Sequence, residues 1–520
     1  MSQFLSKKFG VTSTIDTDWA REQDSEKLEI IFGTTDHPET ASLLDDMKTY
    51  GEYIVRAVGN KLIIVSYTEA GYNRAMKHLE KALGRGYDRD TNTITVSTAS
   101  LNVTEVVDEQ LAALPVYEGG TYLTTYDAGR VTRETECLEV IIKQTTSGEY
   151  DKYLQKLETV GYTKYTTNDV GKNNKFAIYT NDAYTLNVGY YDYEQAARLL
   201  VEPKTTLPTR ENDEERYHKY ENKEKITTSQ ITMIAVSQGN QSNGLSTLIR
   251  LEDGRFIVVD GSWSDRYAHW EKTIKEQAKD YTDKPIIAAW IITHGHGDHI
   301  GLLLGNYHKI KDAGITVERF LFNEVAENQK TDYGIGPTEK VFSSVAPYLG
   351  AETYKIHVGQ AFYFSNCKID VVFSQEAYGP NPCSSYNATS TITKMTFTDS
   401  ATGQETTYLS TGDATGECMK TASDIFGEFV RCDILSTPHH GGSPGAAKSE
   451  LSEAYKVMAP KLVLFPNGTP MSGRWYNDPL FASEFFKETY YAGERGAGGL
   501  GDFIVPLPYV QGNFIRVPQQ

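Results

Sequence analysis

The sequence predicts a multidomain α+β protein in which two small modules precede a larger C-terminal domain. The chain has 520 residues, and at the usual ~100–200 residues per domain this corresponds to about three domains. Hydrophobic residues make up 39% and charged residues 23% of the chain, which is ordinary for a globular protein. Segments with the two-residue alternation of strands are interspersed with amphipathic helical stretches along the whole chain. These observations exclude a single small module.

The first predicted module covers residues 1–100 and reads as a βαββα unit. Short β-branched runs predict its strands, and apolar residues at helical spacing predict its helices. The strands are predicted at 27–33, 53–57 and 61–66, and the helices at 38–48 and 70–83.

The second predicted module is a small α+β unit at residues 101–205. A helix is expected at 149–160, closed by Gly161, because glycine readily ends a helix in the left-handed conformation. Strands are expected at 138–144, 175–181, 184–191 and 197–203. The next stretch, 206–227, is dense in both charge signs and lacks an apolar period, so it is predicted to be a charged linker. Neither module contains a catalytic cluster.

The C-terminal domain, predicted at 228–520, begins with three hairpin strands and a long helical stretch. The fully apolar run PIIAAWIIT at 285–293 follows, and its β-branched content predicts a strand buried on both faces. The hairpin strands are expected at 231–237, 245–251 and 255–261, and the helix at 264–279.

A dense group of metal-ligand residues comes directly after the apolar strand. The motif T-H-G-H-G-D-H-I-G holds His294, His296, Asp298 and His299. In extended backbone, residues i and i+2 point to the same side, so the first two histidines can bind one ion. Asp298 and His299 can open the following helix and face a second ion, since imidazole and carboxylate are ligands that divalent transition metals prefer. The motif therefore predicts two neighbouring metal sites.

Together with later motifs, this pattern resembles the metallo-β-lactamase-fold hydrolases over roughly residues 228–510. The family has an early Asp-Gly turn, matched by Asp260-Gly261, a bridging aspartate, matched by Asp413 in TYLSTGDAT, and a final histidine, matched in DILSTPHHGG. The resemblance implies an αββα sandwich. The T-G-D turn, the P-H-H-G-G-S run and an upstream Asn387 and Ser390 are most similar to the nuclease-type domain of DNA-uptake competence proteins (ComEC type).

The resemblance also implies a role for each site residue. The implied ligands are His294, His296 and Asp413 at the first metal, and Asp298, His299, Asp413 and His440 at the second. Asp298 and His439 are the implied catalytic residues, and Asn387 and Ser390 the implied substrate contacts. Many family members have a further histidine at the first metal. Here only His308 and His357 lie between the motif and Asp413, and neither is expected to be a ligand. The family's His-Pro near the end is replaced by Asp478-Pro479.

These residues predict a metal-dependent hydrolase that uses hydroxide bound by a dinuclear centre, with a phosphodiester-type substrate favoured. Zinc is the expected metal, and manganese is the alternative because the first site is poor in nitrogen ligands. Two other functions stay open. One is a carboxylic acyl hydrolase that opens a lactam, lactone or ester. The other is a glycan- or cell-wall-binding protein with a vestigial metal site, because the first module faintly resembles domains that precede catalytic domains in glycoside hydrolases.

Charge and hydropathy limit the partners and the compartment. The net charge is −18, so long duplex nucleic acid is disfavoured, whereas a small or polymer-borne anionic substrate is compatible with a cationic metal pair. No apolar run reaches the ~18 residues needed to span a bilayer. The N-terminus lacks a signal-peptide core, so a secreted or cell-envelope protein whose signal was removed and a cytoplasmic protein both stay open. The five cysteines form no C-x-x-C pair and are expected to serve as packing residues.

Overall fold

The structure is a computed structural model, and it describes most of the chain. The described residues are 1–10, 12–15, 28–33, 35, 37–131, 135–171, 173–204, 227–235, 244–325, 338–441, 448–466, 488–491 and 501–518. Of the predicted linker at 206–227, only Thr227 is among them, and the Asp478-Pro479 pair lies outside them.

The N-terminal module is a small mixed sheet with helices packed on it. Its strands are β1 (Glu29–Phe32), β2 (Glu52–Val58), β3 (Lys61–Ser66), β4 (Tyr87–Asp88), β5 (Thr93–Ile94) and β6 (Val103–Val106). Its helices are α1 (Ser2–Phe9), α2 (Pro38–Asp46), α3 (Glu69–Gly86), α4 (Thr98–Leu101) and α5 (Glu109–Ala112). The main sheet has the order β1-β3-β2-β6, with β1 and β3 parallel. Because β6 joins this sheet, the module extends past residue 100, where the sequence analysis placed its end.

The second module is a six-stranded antiparallel sheet in the order β7-β8-β12-β11-β10-β9. Helix α6 begins with a capping box, in which the Thr146 side chain accepts a hydrogen bond from the Glu149 N–H and the Glu149 side chain accepts one from the Thr146 N–H. Alternate residues of β8 and β12 pack against α6 on one face, as Val140 and Leu199 do. The elements are β7 (Thr121–Arg130), β8 (Glu136–Lys143), α6 (Ser147–Thr159), β9 (Thr163–Val170), β10 (Asn174–Thr180), β11 (Tyr184–Tyr191) and β12 (Ala196–Pro203).

The C-terminal domain contains two sheets. The first has the order β19-β18-β16-β15-β14-β13-β27-β28, with β17 also paired to β16. Its strands are β13 (Gln230–Met233), β14 (Thr247–Arg250), β15 (Phe256–Val259), β16 (Ile286–Ile292), β17 (Thr316–Val317), β18 (Arg319–Phe322), β19 (Glu352–Lys355), β27 (Gly501–Pro506) and β28 (Ile515–Pro518). The second runs in chain order from β20 to β26. Its strands are β20 (Ala361–Phe364), β21 (Cys367–Phe373), β22 (Ile392–Thr398), β23 (Glu405–Ser410), β24 (Ile434–Ser436), β25 (Leu462–Phe465) and β26 (Glu488–Tyr491).

The two sheets pack face to face, and helices cover their outer faces. Residues of both sheets, among them Ile257 and Ile369, share one buried cluster. Outside the first sheet, Trp270 of α7 stacks on Trp290 with 5.4 Å between the ring centroids, and α10 and α11 cover the second sheet. The domain is therefore a helix–sheet–sheet–helix sandwich, as predicted. Its helices are α7 (Tyr267–Ala278), α8 (Gly297–Asp312), α9 (Ala346–Leu349), α10 (Gly416–Phe426) and α11 (Lys448–Met458).

The apolar run at 285–293 forms β16, a central strand parallel to both β15 and β18. Parallel strands end at the same edge of a sheet, so the loops that follow β15 and β16 lie side by side. The second sheet repeats this arrangement, because β23 and β24 are also parallel. Four loops therefore meet at one edge of the sandwich.

All five cysteines are free and buried. Among the described helices, none is both long enough and apolar enough to cross a membrane.

Candidate metal centre

The histidine motif marks the transition from β16 to α8. His294 and His296 follow the strand in extended backbone, and α8 begins at Gly297 with His296 as its N-cap. Asp298 and His299 therefore lie in the first helical turn. This strand–loop–helix transition turns the two pairs of side chains toward neighbouring points.

One group of four ligand atoms comes from three separate loops. Asp298, His299, Asp413 and His440 each offer one atom, and these atoms all lie within 4.8 Å of one another. His440 Nε2 is 3.0 Å from Asp298 Oδ2, and His299 Nε2 is 3.0 Å from Asp413 Oδ1. All four residues are buried. Two imidazoles and two carboxylates in this arrangement match the ligand chemistry of a divalent transition metal.

A second group lies beside the first and shares Asp413 with it. It consists of His294, His296 and Asp413. His294 Nε2 is 3.0 Å from His296 Nδ1 and 3.8 Å from Asp413 Oδ2. Asp413 thus directs one carboxylate oxygen to each group, which is the arrangement of a bridging ligand. This group has three protein ligands instead of four, so more of its coordination sphere is available to solvent or substrate.

Asp413 reaches this position because Gly412 allows a close approach to the end of β16. The backbone of Gly412 has φ +51°, and a Cβ there would lie 2.5 Å from the Thr293 hydroxyl oxygen. Any side chain would therefore push the Asp413 turn away from the histidine loop. The Ser390 hydroxyl accepts a hydrogen bond from the Asp413 N–H at 3.1 Å and fixes the other side of the turn.

Asp260, at the end of β15, orients His299. Its Oδ2 lies 2.8 Å from His299 Nδ1 and accepts a 2.7 Å hydrogen bond from the Thr293 hydroxyl. The Thr293 N–H donates to the other oxygen at 2.9 Å. An imidazole held by a carboxylate at one ring nitrogen presents the other nitrogen in a fixed direction, which is the usual support of a metal-binding histidine.

His439 and His440 occupy a strained turn after β24. Their φ values are +49° and +52°, in the left-handed region that residues with a Cβ rarely adopt. His440 Nδ1 lies 3.1 Å from the Pro466 carbonyl oxygen, so its Nε2 faces the ligand group. His439 is on the rim, with its side chain 31% exposed. Asn387 Nδ2 lies 3.2 Å from His439 Nε2.

The electrostatics of the two groups favour a bound cation. Burial and the neighbouring His299 lower the pKa of His294, because both disfavour the imidazolium. The pKa of Asp413 stays well below its usual range, despite burial, because His299 and His440 face it. Burial lowers the pKa of His440, but the carboxylates of Asp413 and Asp298 outweigh this effect and raise it to about 9.

Within the described structure, Asp413 Oδ1 is buried and makes no hydrogen bond. Yet it lies 3.0 Å from His299 Nε2 and 3.3 Å from His440 Nε2. The two nitrogens are themselves 3.2 Å apart, so three ligand atoms converge on one point, and a divalent ion bound between them would contact all three. The residues present therefore fit the metal centre that the motif predicts.

Replacing Asp260 with asparagine is expected to weaken metal binding about 10- to 100-fold, the usual cost of losing such a supporting carboxylate. The amide cannot both accept from Thr293 and hold His299 Nδ1–H as an anion does. Competition with a chromophoric chelator would measure the affinity. Asp433→Asn is the matched control, since Asp433 precedes β24 and pairs with Lys461. Equal affinities of both variants and the unaltered protein would exclude a supporting role for Asp260.

The six residues predicted as ligands thus all lie in the two groups, while their roles as ligands stay predictions. Of the residues predicted to act in catalysis or to contact substrate, Asp298 belongs to the four-residue group, and His439 and Asn387 lie together on the rim. Ser390 is fully buried and directed at the Asp413 backbone, so its predicted contact with substrate stays untested. His308 is on an exposed part of α8. His357 is buried in a different cluster, which the sequence analysis did not identify.

Tyr386 is a further residue at the site that the sequence analysis missed. Its ring centroid is 5.2 Å from that of His296, and its hydroxyl would be 2.5 Å from a Cβ at Gly295. Gly295 is therefore required for close packing of the loop on this ring. The available signal for Tyr386 in the sequence was its position directly before Asn387, an implied substrate contact.

The family model of the metallo-beta-lactamase superfamily matches residues 239–351. No curated protein matches the chain significantly. The chain is similar to the metallo-beta-lactamase fold protein YhfI from Bacillus subtilis, with 13% identity, 51% of this chain and 97% of that chain covered, and a TM-score of 0.34. It is similar to unliganded yeast PDE1, with 12% identity, 52% of this chain and 98% of that chain covered, and a TM-score of 0.32. It is also similar to a diphosphatase from the PhnP family, with 17% identity, 46% of this chain and 86% of that chain covered, and a TM-score of 0.27.

The matched segment contains β14 to β18 and the complete T-H-G-H-G-D-H-I-G motif. The remaining strands complete the helix–sheet–sheet–helix sandwich around it. By this match and this architecture, the C-terminal region is a metallo-beta-lactamase fold domain.

Proposed function

We propose that the protein is a metal-dependent hydrolase with a dinuclear centre and a phosphodiester-type substrate. The observation that carries the proposal is the sharing of Asp413 by a four-residue and a three-residue ligand group. A shared carboxylate holds two cations close together, as in many phosphoester-cleaving enzymes. His294 and His296 would complete the first site, and Asp298, His299 and His440 the second.

The ligand atoms are nitrogen and oxygen, which suits zinc, and the first site, with only three protein ligands and room for solvent oxygen, also suits manganese. Two such ions polarise a substrate oxygen and generate a nucleophile from water at neutral pH.

Asp298 and His439 are the candidates for proton transfer. Neighbouring imidazoles hold the pKa of Asp298 well below its usual range, so this carboxylate is ionised at neutral pH and can accept a hydrogen bond from the attacking water. His439 is on the exposed rim, where it can donate a proton to the leaving oxygen. Asn387, 3.2 Å from His439 Nε2, is placed to hold this imidazole and to contact a substrate oxygen.

A phosphodiester is favoured over a carboxylic acyl group by the resemblance to the nuclease-type competence domain. The residues that carry this resemblance, Asn387, Ser390, Asp413 and the His439-His440 pair, all lie around the two ligand groups. The acyl-hydrolase alternative uses the same centre and becomes an outcome of the test. The intact ligand groups argue against a vestigial site, and glycan contact by the N-terminal modules stays a prediction.

A panel of chromogenic substrates tests the proposal. The protein, loaded with zinc or with manganese, is expected to hydrolyse bis-p-nitrophenyl phosphate faster than a chromogenic lactam or a p-nitrophenyl ester. The matched control is His299→Ala, which disrupts the four-residue group and identifies any contaminating esterase. Turnover of the carboxylic substrates alone would replace the proposal with the acyl-hydrolase alternative.

A further inference from the structure

A second cluster of ligand-type side chains lies between the second module and the C-terminal domain. Cys137 of β8, Glu202 of β12 and His357, which follows β19, place their ligand atoms within 4.8 Å of one another. Their exposed fractions are 0%, 8% and 0%. None of these residues belongs to the dinuclear centre, and the cluster joins three distant segments of the chain.

The sheet of the second module brings the first two residues together. Strands β8 and β12 are antiparallel, and Leu138 is opposite Val201. Cys137 and Glu202 are therefore directly opposite one another at the end of this strand pair, with their side chains on the same face. That face is turned away from α6 and toward the C-terminal domain, which supplies His357.

His357 is held as metal-binding histidines usually are. Its Nδ1 lies 2.7 Å from Glu376 Oε1, whereas its Nε2 lies 3.4 Å from Glu202 Oε2. The first contact is a short hydrogen bond that fixes the ring and its tautomer. The second is long for a hydrogen bond, but it matches the ~3.3–3.4 Å between nitrogen and oxygen ligands on a tetrahedral zinc ion with bonds of ~2.0–2.1 Å.

Glu376 is itself fixed, so the orientation of His357 is well determined. The Asn323 amide donates to Glu376 Oε1 at 2.7 Å, and the Ser374 hydroxyl donates to Oε2 at 3.0 Å. Lys355 Nζ lies 3.8 Å from the same carboxylate. The carboxylate is thus already saturated by neighbours and acts as the support of the ring.

Glu202 and Cys137, by contrast, are poorly satisfied for buried polar groups. The Glu202 oxygens have contacts of 3.4 Å to His357 and 3.5 Å to the Asn187 amide, both at the outer limit of hydrogen bonding. Among the described residues, the Cys137 thiol has no hydrogen-bond partner. The thiol of Cys418, also buried, lies 3.1 Å from the Thr415 hydroxyl and 3.3 Å from that of Tyr378.

Charged groups of both signs surround the thiol. Glu202, Glu376 and Glu139 act on Cys137 electrostatically, and so does the ammonium of Lys355. The cluster therefore combines sulfur, nitrogen and oxygen ligand atoms at one buried position.

We propose that Cys137, Glu202 and His357 bind one zinc-type divalent ion that fastens the second module to the C-terminal domain. Thiolate, imidazole and carboxylate form a ligand set suited to zinc. Both oxygens of Glu202 are weakly held, so this carboxylate can fill two of the four positions. Binding replaces the thiol proton, which is released to solvent. The site is structural, since its ligands are buried and link two units of the chain.

Cobalt substitution tests the proposal, because a cobalt–thiolate bond gives a charge-transfer absorption band in the near ultraviolet. The candidate ligands of the dinuclear centre include no sulfur, so such a band reports a cysteine ligand. The full chain, freed of metal by a chelator and titrated with Co²⁺ to saturation, is expected to show this band with an intensity that corresponds to one cobalt–thiolate site per chain. The band is expected to persist in Asp413→Ala and to disappear in Cys137→Ser.

Cys418→Ser is the matched control, because it removes a buried thiol that already has hydrogen-bond partners. It should keep the band. Absence of the band from the folded, unaltered chain would overturn the proposal without reference to any variant. Persistence of the band in Cys137→Ser would assign the thiolate to another cysteine and overturn it equally. If the serine variant does not fold, Cys137→Ala removes the ligand without adding a buried hydroxyl.

Discussion

Replacing Asp413 with alanine is expected to remove both metals of the proposed dinuclear centre and to lower the proposed hydrolysis by about a thousandfold or more. Metal centres of this kind supply several kcal/mol of transition-state stabilisation, and each ~1.4 kcal/mol corresponds to a factor of ten in rate. Asp413 belongs to both ligand groups, so one substitution weakens both sites. Elemental analysis and the rate on the best substrate of the panel would measure the effect.

His294→Ala provides the internal comparison. His294 belongs to the three-residue group alone, so this variant is expected to lose one ion and to keep the four-residue site. The difference between the two variants isolates the bridging role of Asp413.

Asp433→Asn controls for loss of a partly buried aspartate elsewhere in the same sheet and should keep both ions. A well-folded Asp413→Ala protein with as many ions per chain as the unaltered protein would contradict the bridging assignment.

The local part of the metal centre was predictable because its geometry follows from adjacent residues. His294, His296, Asp298 and His299 lie within six positions, and the change from strand to helix alone determines which way they point. Asp413 and His440 are more than a hundred residues away, and only the resemblance to a family implied them. Asp260 was visible as an Asp-Gly turn, but its contact with His299 depends on the parallel pairing of β15 and β16.

Other features were not predictable from local patterns, for identifiable physical reasons. Strand β7 has register shifts between Tyr122 and Thr124 and between Asp127 and Arg130, so its side chains do not keep the two-residue alternation that reveals a strand. Strand β9 is a largely polar edge strand with a shift against β10. Neither β7 nor β9 is among the strands predicted from the sequence.

The cluster of Cys137, Glu202 and His357 has no sequence signature at all. Its members are separated by 65 and 155 residues in the chain, and two of them meet only through the β8–β12 register. Cys137 was expected to be a packing residue, and His357 was expected not to be a ligand. For the dinuclear centre the latter expectation agrees with the position of His357, which lies in a separate cluster.

The arginine at the same interface carries the second large expected effect. Arg198→Met is expected to destabilise the folded protein by about 3–5 kcal/mol, the usual cost of breaking a buried ion pair on one side. Arg198 Nη1 donates to Glu139 Oε1 at 3.1 Å and to the Glu376 carbonyl at 2.8 Å. The side chains of Arg198 and Glu139 are 4% and 0% exposed. Methionine fills much of the volume, but it leaves Glu139 without its counterion, and the Tyr126 hydroxyl that also donates to this carboxylate carries no charge.

The loss should grow as the pH rises. Burial, partly offset by Arg198, raises the pKa of Glu139 to about 7, and removing the guanidinium raises it further. A carboxyl whose pKa is raised in the folded state costs stability progressively as the pH rises above its unfolded value. The deficit of Arg198→Met, measured from urea unfolding, should therefore be larger at about pH 9 than at about pH 6.

A double-variant cycle separates the charge from the packing. Arg198→Met combined with Glu139→Gln removes both charges and should recover a substantial part of the lost stability, because no uncompensated ion stays buried. Lys279→Ala, which breaks an exposed pair with Glu276, is the control and should change stability by less than about 1 kcal/mol. If the double variant were as unstable as Arg198→Met, and the deficit of Arg198→Met did not change with pH, the interface would depend on the shape of the arginine and its contacts with the backbone rather than on its charge.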